Sequence, residues 1–562
     1  MSANPSTLTT APDASAATSL LTPTRCRWLL LVLLAAGVVA RLLYLHSPDA
    51  LDLAPDEAQY WTWAKRLDWS YYSKPGMVAW LIAASTAVFG DTMPAVRYPA
   101  LLLGVGTLLL TYDLTRRLFG SDRLALGAVG LCHIVPMFIA GSMLMTIDPP
   151  FVFFWALATY FVALGLVEQR RWAFVAAGLA TGLSFLSKYP ALLFLPGALA
   201  AMALDRTWRR HLLTPWPWVM CGLALLLTLP VVLWNLQQGW VSAQHVRADT
   251  MSGFRPLEPL SFLAGTIGAV NPMLFAIFAA AVVWALRSPV TSDPAKRSPL
   301  HADPEHARRL RLLVWTVLPY AALVTASAFF TNTQINWSAP VWFAVIIVSA
   351  AFLASRRRDP AAWRRWRGLL YGSIAVAAVV MPLAHHMRLL YPAFELIQTR
   401  LLGWEEVHVR RWDPTARLQG WKQLAAELDR IRRERLGPDA FILTQNRTDA
   451  SALAFYTPGH PPTYVMGPFI ADPQRRGRKS QYDLWPDRSL ERGRTQLTGR
   501  DAIYVGPPWP DLAEAFARVE TVEPIRVTVR SFGREYLLTT RTVLLLRDFR
   551  GFPRPDDGAV RH

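Results

Sequence analysis

The chain has 562 residues, of which 52% are apolar and only 17% are charged. Soluble domains carry about 25% charged residues, so this composition indicates a membrane protein. Three cysteines in a chain of this length exclude a disulfide scaffold, and the high apolar fraction excludes a largely disordered chain. A net charge of +18 suits nucleic-acid binding as well as membrane orientation, so the positions of the charges must decide between the two.

Apolar runs long enough to approach the width of a bilayer recur along the first two thirds of the chain. They follow a Ser-, Thr-, Ala- and Pro-rich segment, 1–24, which we predict to be a disordered cytoplasmic tail. The first run could also be a cleaved signal peptide, but its late start and the many later runs favour a retained anchor. We predict about eleven transmembrane helices, near 28–45, 94–115, 124–146, 149–167, 172–187, 189–204, 217–236, 259–286, 310–330, 338–355 and 368–387.

Basic residues are distributed unequally between the loops that join these predicted helices. If the N-terminus is cytoplasmic, the cytoplasmic segments hold 22 Lys and Arg and the opposite loops hold six. This bias follows the positive-inside rule and places the C-terminus of the chain outside the cytoplasm. The basic charge is therefore explained by membrane orientation, and no nucleic acid is expected as a partner.

The sequence pattern changes near residue 390, where short β-type runs replace the long apolar ones. An amphipathic helix is predicted at 417–435 and strands at 440–444, 462–466, 501–505, 523–530 and 536–546. We therefore predict a transmembrane domain over 25–389, with a long first outer loop at 47–93, and a soluble α/β domain over 390–562.

The first outer loop places two acids beside each other, Asp56 and Glu57, among many aromatic residues. Aromatic and charged residues in this arrangement are also typical of a helix that lies in the membrane interface, with solvated charges and an aromatic belt. Asp148 is more informative, because an acid at the end of an apolar run is costly unless it is paired or functional. It could also be the N-cap of the helix that begins at Pro149.

Only six of the 58 basic residues are lysines, and Lys74 and Lys188 both lie at the predicted outer membrane face. A compact ammonium group there could bind a phosphate, although each lysine could equally reach lipid headgroups. Further polar candidates on the same side are Asn235, His245, Arg247, Asn336 and Trp337. The sequence contains no phosphate-binding glycine loop, no dinucleotide fingerprint and no zinc-binding motif of the common types.

Several short motifs together resemble the GT-C glycosyltransferases of the glycosyltransferase 39 group, which includes protein O-mannosyltransferases and bacterial lipid A aminoarabinose transferases. They are Pro55-Asp56-Glu57-Ala58-x-Tyr60, Tyr72-x-Lys74-Pro75, Asp148-Pro149, Gly182-Leu183-x-Phe185-Leu186-x-Lys188-Tyr189, Pro230-x-x-x-Trp234-Asn235, and Arg417-x-x-Gly420-Trp421. The resemblance covers most of 28–505 and is closest to the bacterial envelope branch. Gly76 departs from the family, because relatives often carry a second proline after the first.

The resemblance implies a role for each candidate residue. Asp56 would be the main catalytic carboxylate, Glu57 would support it, and Asp148 would organise the same cleft. Lys74 and Lys188, with His245 and Arg247 as weaker candidates, would bind the donor phosphate. The remaining candidates would contact substrate: Tyr60, Tyr72, Tyr189, Asn235, Asn336 and Trp337. The sequence requires no metal, although carboxylates near the reaction centre could hold a divalent cation.

We therefore predict a polytopic α-helical membrane protein of the GT-C type in the bacterial inner membrane, with a periplasmic C-terminal α/β domain. It would move a monosaccharide, by an inverting displacement, from a polyprenyl phosphate to lipopolysaccharide or lipid A, another glycan or protein. A transporter of a lipid-linked or free sugar is the main alternative, and the C-terminal domain could instead serve only to bind a glycan or protein. The identity of the sugar does not follow from the sequence.

Overall fold

The computed structural model describes residues 21–250, 253–288, 304–357, 359–472 and 474–553. Most of the predicted N-terminal tail, and the last nine residues of the predicted C-terminal domain, lie outside these ranges. The first helix begins at Pro23 and so includes the last two residues of the predicted tail. The side chain of Thr22 accepts a hydrogen bond from the backbone of Arg25, and this bond caps the helix.

Helices make up the N-terminal two thirds of the described chain. In chain order they are α1 (Pro23–Leu45), α2 (Pro55–Ala64), α3 (Met77–Phe89), α4 (Met93–Phe119), α5 (Asp122–His133), α6 (Pro136–Gly141), α7 (Asp148–Val167), α8 (Trp172–Phe185), α9 (Phe194–Leu204), α10 (Trp216–Leu226), α11 (Leu229–Gln237), α12 (Val241–Thr250), α13 (Glu258–Val270), α14 (Pro272–Arg287), α15 (Pro304–Ser327), α16 (Ala339–Arg356) and α17 (Pro360–His385). Short 3₁₀ turns precede α9 and α16, at Tyr189–Leu193 and Ile335–Ser338.

Within the described ranges, seven segments are long and apolar enough to cross a membrane: α1, α4, α7, α10 with α11, α15, α16 with its 3₁₀ turn, and α17. The predicted count of eleven is not confirmed. The run at 259–286 bends by 104° between α13 and α14, where Asn271 has a φ of 90° and Pro272 follows. The run at 124–146 breaks before Pro136, because proline disfavours helical backbone in the residue that precedes it.

Small residues let helix α8 approach its neighbours closely. Gly178 and Gly182 lie on the face of α8 that packs against α10 and the residues after it. A Cβ on Gly178 would lie 2.5 Å from the backbone oxygen of Met220, and one on Gly182 would lie 2.4 Å from a methyl group of Leu227. Glycine at these positions therefore permits backbone contact, as it does in many membrane helix pairs.

The C-terminal part combines short helices with two sheets. The helices are α18 (Tyr391–Leu396), α19 (Val409–Trp412), α20 (Trp421–Arg435), α21 (Arg447–Tyr456), α22 (Gln481–Leu484) and α23 (Asp511–Ala515); the strands are β1 (Phe441–Thr444), β2 (Thr463–Val465), β3 (Ala502–Val505), β4 (Phe516–Thr521), β5 (Ile525–Ser531), β6 (Arg534–Arg541) and β7 (Val543–Phe549). The larger sheet has the order β2-β1-β3-β7-β4, with β1 parallel to β2 and β3 and with β7 antiparallel to its neighbours. β5 and β6 form a separate hairpin.

Hydrogen bonds fix the C-terminal part to the segment that precedes α2. The carboxylate of Asp52 accepts from the backbone N–H of Trp421, at 2.9 Å, and lies 3.6 Å from Nζ of Lys422. The backbone N–H of Leu53 donates to the hydroxyl of Tyr456, at 2.5 Å. Helix α2 is thereby held between the membrane helices and α21, and it is almost entirely buried instead of lying on the membrane surface.

The close packing of α8 predicts that Gly178→Ala destabilises the protein. The new methyl group would overlap the backbone of Met220, and overpacking of this kind costs about 1–3 kcal/mol. Gly127 in α5 is the matched control, because a Cβ there meets nothing within 4 Å and alanine favours helix by about 1 kcal/mol. Thermal unfolding in detergent should show a lower Tm for Gly178→Ala and an unchanged or higher Tm for Gly127→Ala. Equal Tm values for the two variants would contradict the packing described here.

Candidate active site

Helix α2 carries two adjacent acids, one of which is buried and the other exposed. Pro55 occupies its first turn, together with Asp56 and Glu57, where negative charge is favourable at a helix N-terminus. Glu57 is fully buried, whereas Asp56 is exposed and accepts no hydrogen bond from the described residues. The two carboxylates, adjacent in sequence, therefore have different environments.

Glu57 is the acceptor of four hydrogen bonds. Arg97 of α4 donates to both carboxylate oxygens, from Nε at 3.0 Å and from Nη2 at 2.8 Å. The backbone N–H groups of Ala54 and Met145 each donate at 2.8 Å. The remaining donors of Arg97 bind the carbonyl oxygens that immediately precede α2, at Leu51 and Asp52. This buried pair joins α2, α4 and the segment before α7, so the geometry gives Glu57 a positioning role.

Asp148, Lys188 and Asn336 form a second polar cluster, assembled from three distant segments. Nζ of Lys188 lies 2.9 Å from Oδ1 of Asp148, and Nδ2 of Asn336 donates to Oδ2 at 2.5 Å. The Lys188 ammonium also lies over the rings of Phe151 and Trp337, at 5.4 and 5.8 Å. The structure thus brings together four of the residues singled out in the sequence, and Asp148 is paired as expected of an acid at the membrane edge.

Tyr60 of α2 is close enough to Asp56 and to Asp148 for both charges to act on its hydroxyl group. It is one helical turn from Asp56 on the same face of α2, and only 8% of its surface is exposed. Burial, together with the negative charges of Asp56 and Asp148, raises the pKa of the Tyr60 hydroxyl well above its usual value, and Arg447 opposes this effect. The charges of Asp56, Asp148 and Arg447 therefore all act on one hydroxyl group.

The other predicted site residues lie outside this cluster, and none of them contacts Asp148 or Lys188 through a described hydrogen bond. Tyr72 and His245 are buried with their rings 5.2 Å apart, while Arg247 on α12 is exposed. Asn235 donates to the carbonyl of Val231 and accepts from the backbone of Ser242, so it holds the turn after α11. The hydroxyl of Tyr189 lies 3.2 Å from that of Ser70.

Lys74 is half-buried in the loop between α2 and α3. Its carbonyl oxygen accepts from the backbone of Tyr71, at 2.9 Å, and from the hydroxyl of Ser70, at 3.3 Å. These bonds close a tight turn immediately before Pro75. Gly76, the residue at which the sequence departs from the family motif, directly follows this turn.

Two arginines that bind side chains of α2 were not predicted from the sequence. Arg97 could have been found, because a single arginine within an apolar run is costly unless it is paired. Arg447 is the first residue of α21, and its Nε donates to Oε1 of Gln59 at 3.2 Å. No sequence signal links Arg447 to Gln59, because the two residues are 388 positions apart. In the described ranges, no three His, Cys, Asp or Glu side chains are grouped as metal ligands.

The fold is that of the GT-C glycosyltransferases. ArnT from Cupriavidus metallidurans, solved in the apo state and bound to undecaprenyl phosphate, superposes with a TM-score of 0.58 at 19% identity, over 92% of this chain. The alignment covers 98% of the apo chain and 97% of the bound one. This likeness confirms the predicted fold class, a membrane domain of the GT-C type followed by a C-terminal sheet domain.

Sequence comparisons agree with this class. The family model for dolichyl-phosphate-mannose-protein mannosyltransferase matches residues 73–234. The lipid A galacturonosyltransferase RgtD of Rhizobium johnstonii is 28% identical over 372 residues, which are 64% of this chain and 72% of that protein. The undecaprenyl phosphate-alpha-4-amino-4-deoxy-L-arabinose arabinosyl transferase of Pseudomonas aeruginosa is 29% identical over 211 residues, or 34% of this chain and 36% of that enzyme. The similarity to glycosyltransferases of the bacterial envelope, together with the ArnT-like fold, confirms the resemblance seen in the sequence.

The buried pair of Glu57 and Arg97 predicts that Arg97→Leu strongly destabilises the protein. Removal of one partner leaves a buried charge without compensation, which costs about 3–5 kcal/mol. Arg430→Leu is the control, because Arg430 is exposed on α20 and its pairs with Glu427 and Glu434 face solvent. Thermal unfolding of the two purified variants should show a much lower Tm for Arg97→Leu and almost no change for Arg430→Leu. A wild-type Tm for Arg97→Leu would show that the pair does not hold α2 in place.

Proposed function

We propose that this protein transfers a monosaccharide from a polyprenyl-phosphate donor to an acceptor of the bacterial envelope, with lipid A as the first candidate. The observation that carries the proposal is that one exposed carboxylate, Asp56, and the buried ion pair of Asp148 and Lys188 lie near the same hydroxyl group, that of Tyr60. This arrangement supplies an acceptor for a proton and a cation for a leaving phosphate within one site.

The names of the related proteins support this choice of substrates. One relative is a lipid A galacturonosyltransferase, another is named for an undecaprenyl-phosphate-linked aminoarabinose, and the GT-C protein of similar fold was solved with undecaprenyl phosphate. All three concern a sugar, a polyprenyl phosphate or lipid A. Transport of a sugar would not require both a polyprenyl-phosphate donor and a lipid A acceptor.

In the proposed reaction, Asp56 accepts the proton of the acceptor hydroxyl as that oxygen attacks the anomeric carbon of the donor sugar. The new bond joins the acceptor oxygen to the anomeric carbon. The bond from that carbon to the phosphate oxygen breaks, and the polyprenyl phosphate leaves with the electron pair. A single displacement of this kind inverts the configuration at the anomeric carbon. Tyr60, beside Asp56, would contact the sugar or the acceptor.

Lys188 is the cation that we assign to the leaving phosphate. Asp148 takes one of its three N–H groups, and the others remain for the phosphate oxygens. Asp148 and Asn336 fix the position of the ammonium, so we assign them positioning roles. We retain Lys74, His245 and Arg247 as further candidates for the phosphate, and Tyr72, Tyr189, Asn235 and Trp337 as candidates for substrate contact.

We further propose that the N-terminus is cytoplasmic and that the C-terminal α/β domain lies in the periplasm of the inner membrane. The excess of basic residues in one set of loops supports this orientation. It places the site at the outer face, where the envelope acceptor is found.

The proposed mechanism predicts that Asp56→Asn abolishes transfer without unfolding the protein. An amide cannot accept the proton, and loss of a general base lowers the rate by about 10²–10⁴-fold. The assay is release of polyprenyl phosphate from a labelled polyprenyl-phosphate sugar by purified protein. Asp49→Asn is the matched control, because Asp49 is exposed in the same loop and pairs with Arg388. Full turnover by Asp56→Asn would refute its role, and vectorial uptake without transfer would favour a transporter.

For Lys188 we expect that replacement by Met lowers kcat by about 10²-fold, as for the loss of one stabilising donor at an oxyanion. The double variant Asp148→Asn, Lys188→Met removes both charges, so it separates the loss of the cation from the cost of an unpaired carboxylate. Lys422→Met is the control, since Lys422 is exposed and pairs with Asp52. If the double variant recovers wild-type kcat, Lys188 does not stabilise the leaving phosphate.

A further inference from the structure

Arg447 is a cation that the C-terminal part of the chain contributes to the edge of the site. It is the first residue of α21, and its Nε donates to the side-chain oxygen of Gln59, at 3.2 Å. Gln59 belongs to α2 and is only 4% exposed. The guanidinium group is thus fixed on the helix that also carries Asp56 and Tyr60.

This single bond leaves most of the guanidinium group available. Neither Nη atom of Arg447 has an acceptor among the described residues, and neither is sealed from solvent. No described carboxylate forms an ion pair with it, although Arg541 nearby on the sheet pairs with Asp449. Arg447 therefore presents two nitrogen atoms with their N–H groups in one plane, the geometry that matches a carboxylate or phosphate.

A purely structural arginine in this chain has a different pattern of contacts. Arg97 uses Nε and both Nη atoms on Glu57 and on backbone carbonyls. Arg432 likewise binds Asp429 and the carbonyls of Pro438 and Ala440. Both are almost fully buried, whereas Arg447 is half-buried with a single partner. The contrast favours a role for Arg447 in binding a ligand.

The charge of Arg447 also reaches the reaction centre. The hydroxyl of Tyr60 lies within the electrostatic influence of Arg447 as well as of Asp56 and Asp148. A ligand held by the Nη atoms would therefore lie at the margin of the site that contains the proposed base.

We propose that Arg447 binds an oxyanion, a phosphate or a carboxylate, carried by one of the two substrates. The inference rests on the proposed function, because it concerns a substrate of the same site. Three groups share this chemistry: the donor phosphate, a carboxylate on the donor sugar, and a phosphate of the acceptor. The residue is a substrate-binding group supplied across the junction between α21 and α2.

The test compares Arg447→Gln and Arg447→Lys with Arg430→Gln, an exposed arginine of α20 with no contact to the site. For each variant, KM is measured separately for donor and acceptor, together with kcat and Tm. We expect Arg447→Gln to raise one KM by about 10–100-fold, the usual effect of losing a charge-assisted pair of 1.5–3 kcal/mol. Its kcat should stay within about threefold of wild type and its Tm within a few degrees, and Arg447→Lys should restore part of the affinity.

Two probes identify which substrate carries the oxyanion. If inhibition by undecaprenyl phosphate alone weakens in Arg447→Gln, the donor phosphate is bound. If that inhibition is unchanged while the donor KM rises, the oxyanion is a carboxylate on the sugar. If only the acceptor KM rises, and wild type but not Arg447→Gln prefers lipid A to its dephosphorylated form, the acceptor phosphate is bound.

Unchanged KM values for both substrates would overturn the inference. The inference would also fail if Arg447→Gln and Arg447→Lys lost affinity equally and both had a lower Tm, because Arg447 would then act only in packing.

If the wild-type protein shows no transfer, the proposed function fails, and the inference about Arg447 is decided by binding alone. The rise in Tm produced by undecaprenyl phosphate or lipid A is then compared between variants. Equal rises in Tm for Arg447→Gln and Arg430→Gln would reject the inference. A smaller rise for Arg447→Gln would support it.

Discussion

The buried ion pair of Glu57 and Arg97 is the interaction on which the rest of the site depends. Two charges removed from water are stable together only when the geometry is good and the remaining hydrogen-bonding groups are satisfied. Here both carboxylate oxygens accept two bonds each, and the guanidinium also binds the chain that enters α2. The pair fixes both the position and the rotation of α2. Because successive residues of a helix point about 100° apart, the inward position of Glu57 turns its neighbour Asp56 towards a different, accessible side.

The same principle explains the distribution of the other charges near the membrane face. Asp148 and Lys188 neutralise each other, and Asn336 satisfies the second carboxylate oxygen. Asp52 is compensated by a backbone N–H group and by Lys422. Asp56 is the acid of α2 that lacks such compensation among the described residues, and it is also the exposed one. A carboxylate in water needs no partner, so it remains available to accept a proton.

The sequence predicted those features that depend on local pattern or on single costly residues. Asp148 and Lys188 could be identified because a charge at the end of an apolar run requires a partner, and β1, β2 and β3 could be identified because they are short, apolar and bounded by turns. β4 was missed because it is an exposed edge strand whose polar residues give no alternating pattern. The run at 536–546 was predicted as one strand, but Thr542 separates β6 from β7 within it. The contact between Gln59 and Arg447 arises only when distant segments pack, so no local pattern could reveal it.

The order of the strands has a consequence for how the protein is made. β7 lies between β3 and β4, so the larger sheet that supports α21 is incomplete until residues 543–549 have been synthesised. Helix α2, by contrast, leaves the ribosome nearly five hundred residues earlier, and at about 5–20 residues per second this interval lasts roughly 25–100 s. During that time α21 lacks the finished sheet that supports it, so its contact with α2 is not yet held in place. A nascent chain should therefore contain inserted membrane helices but an unfinished site.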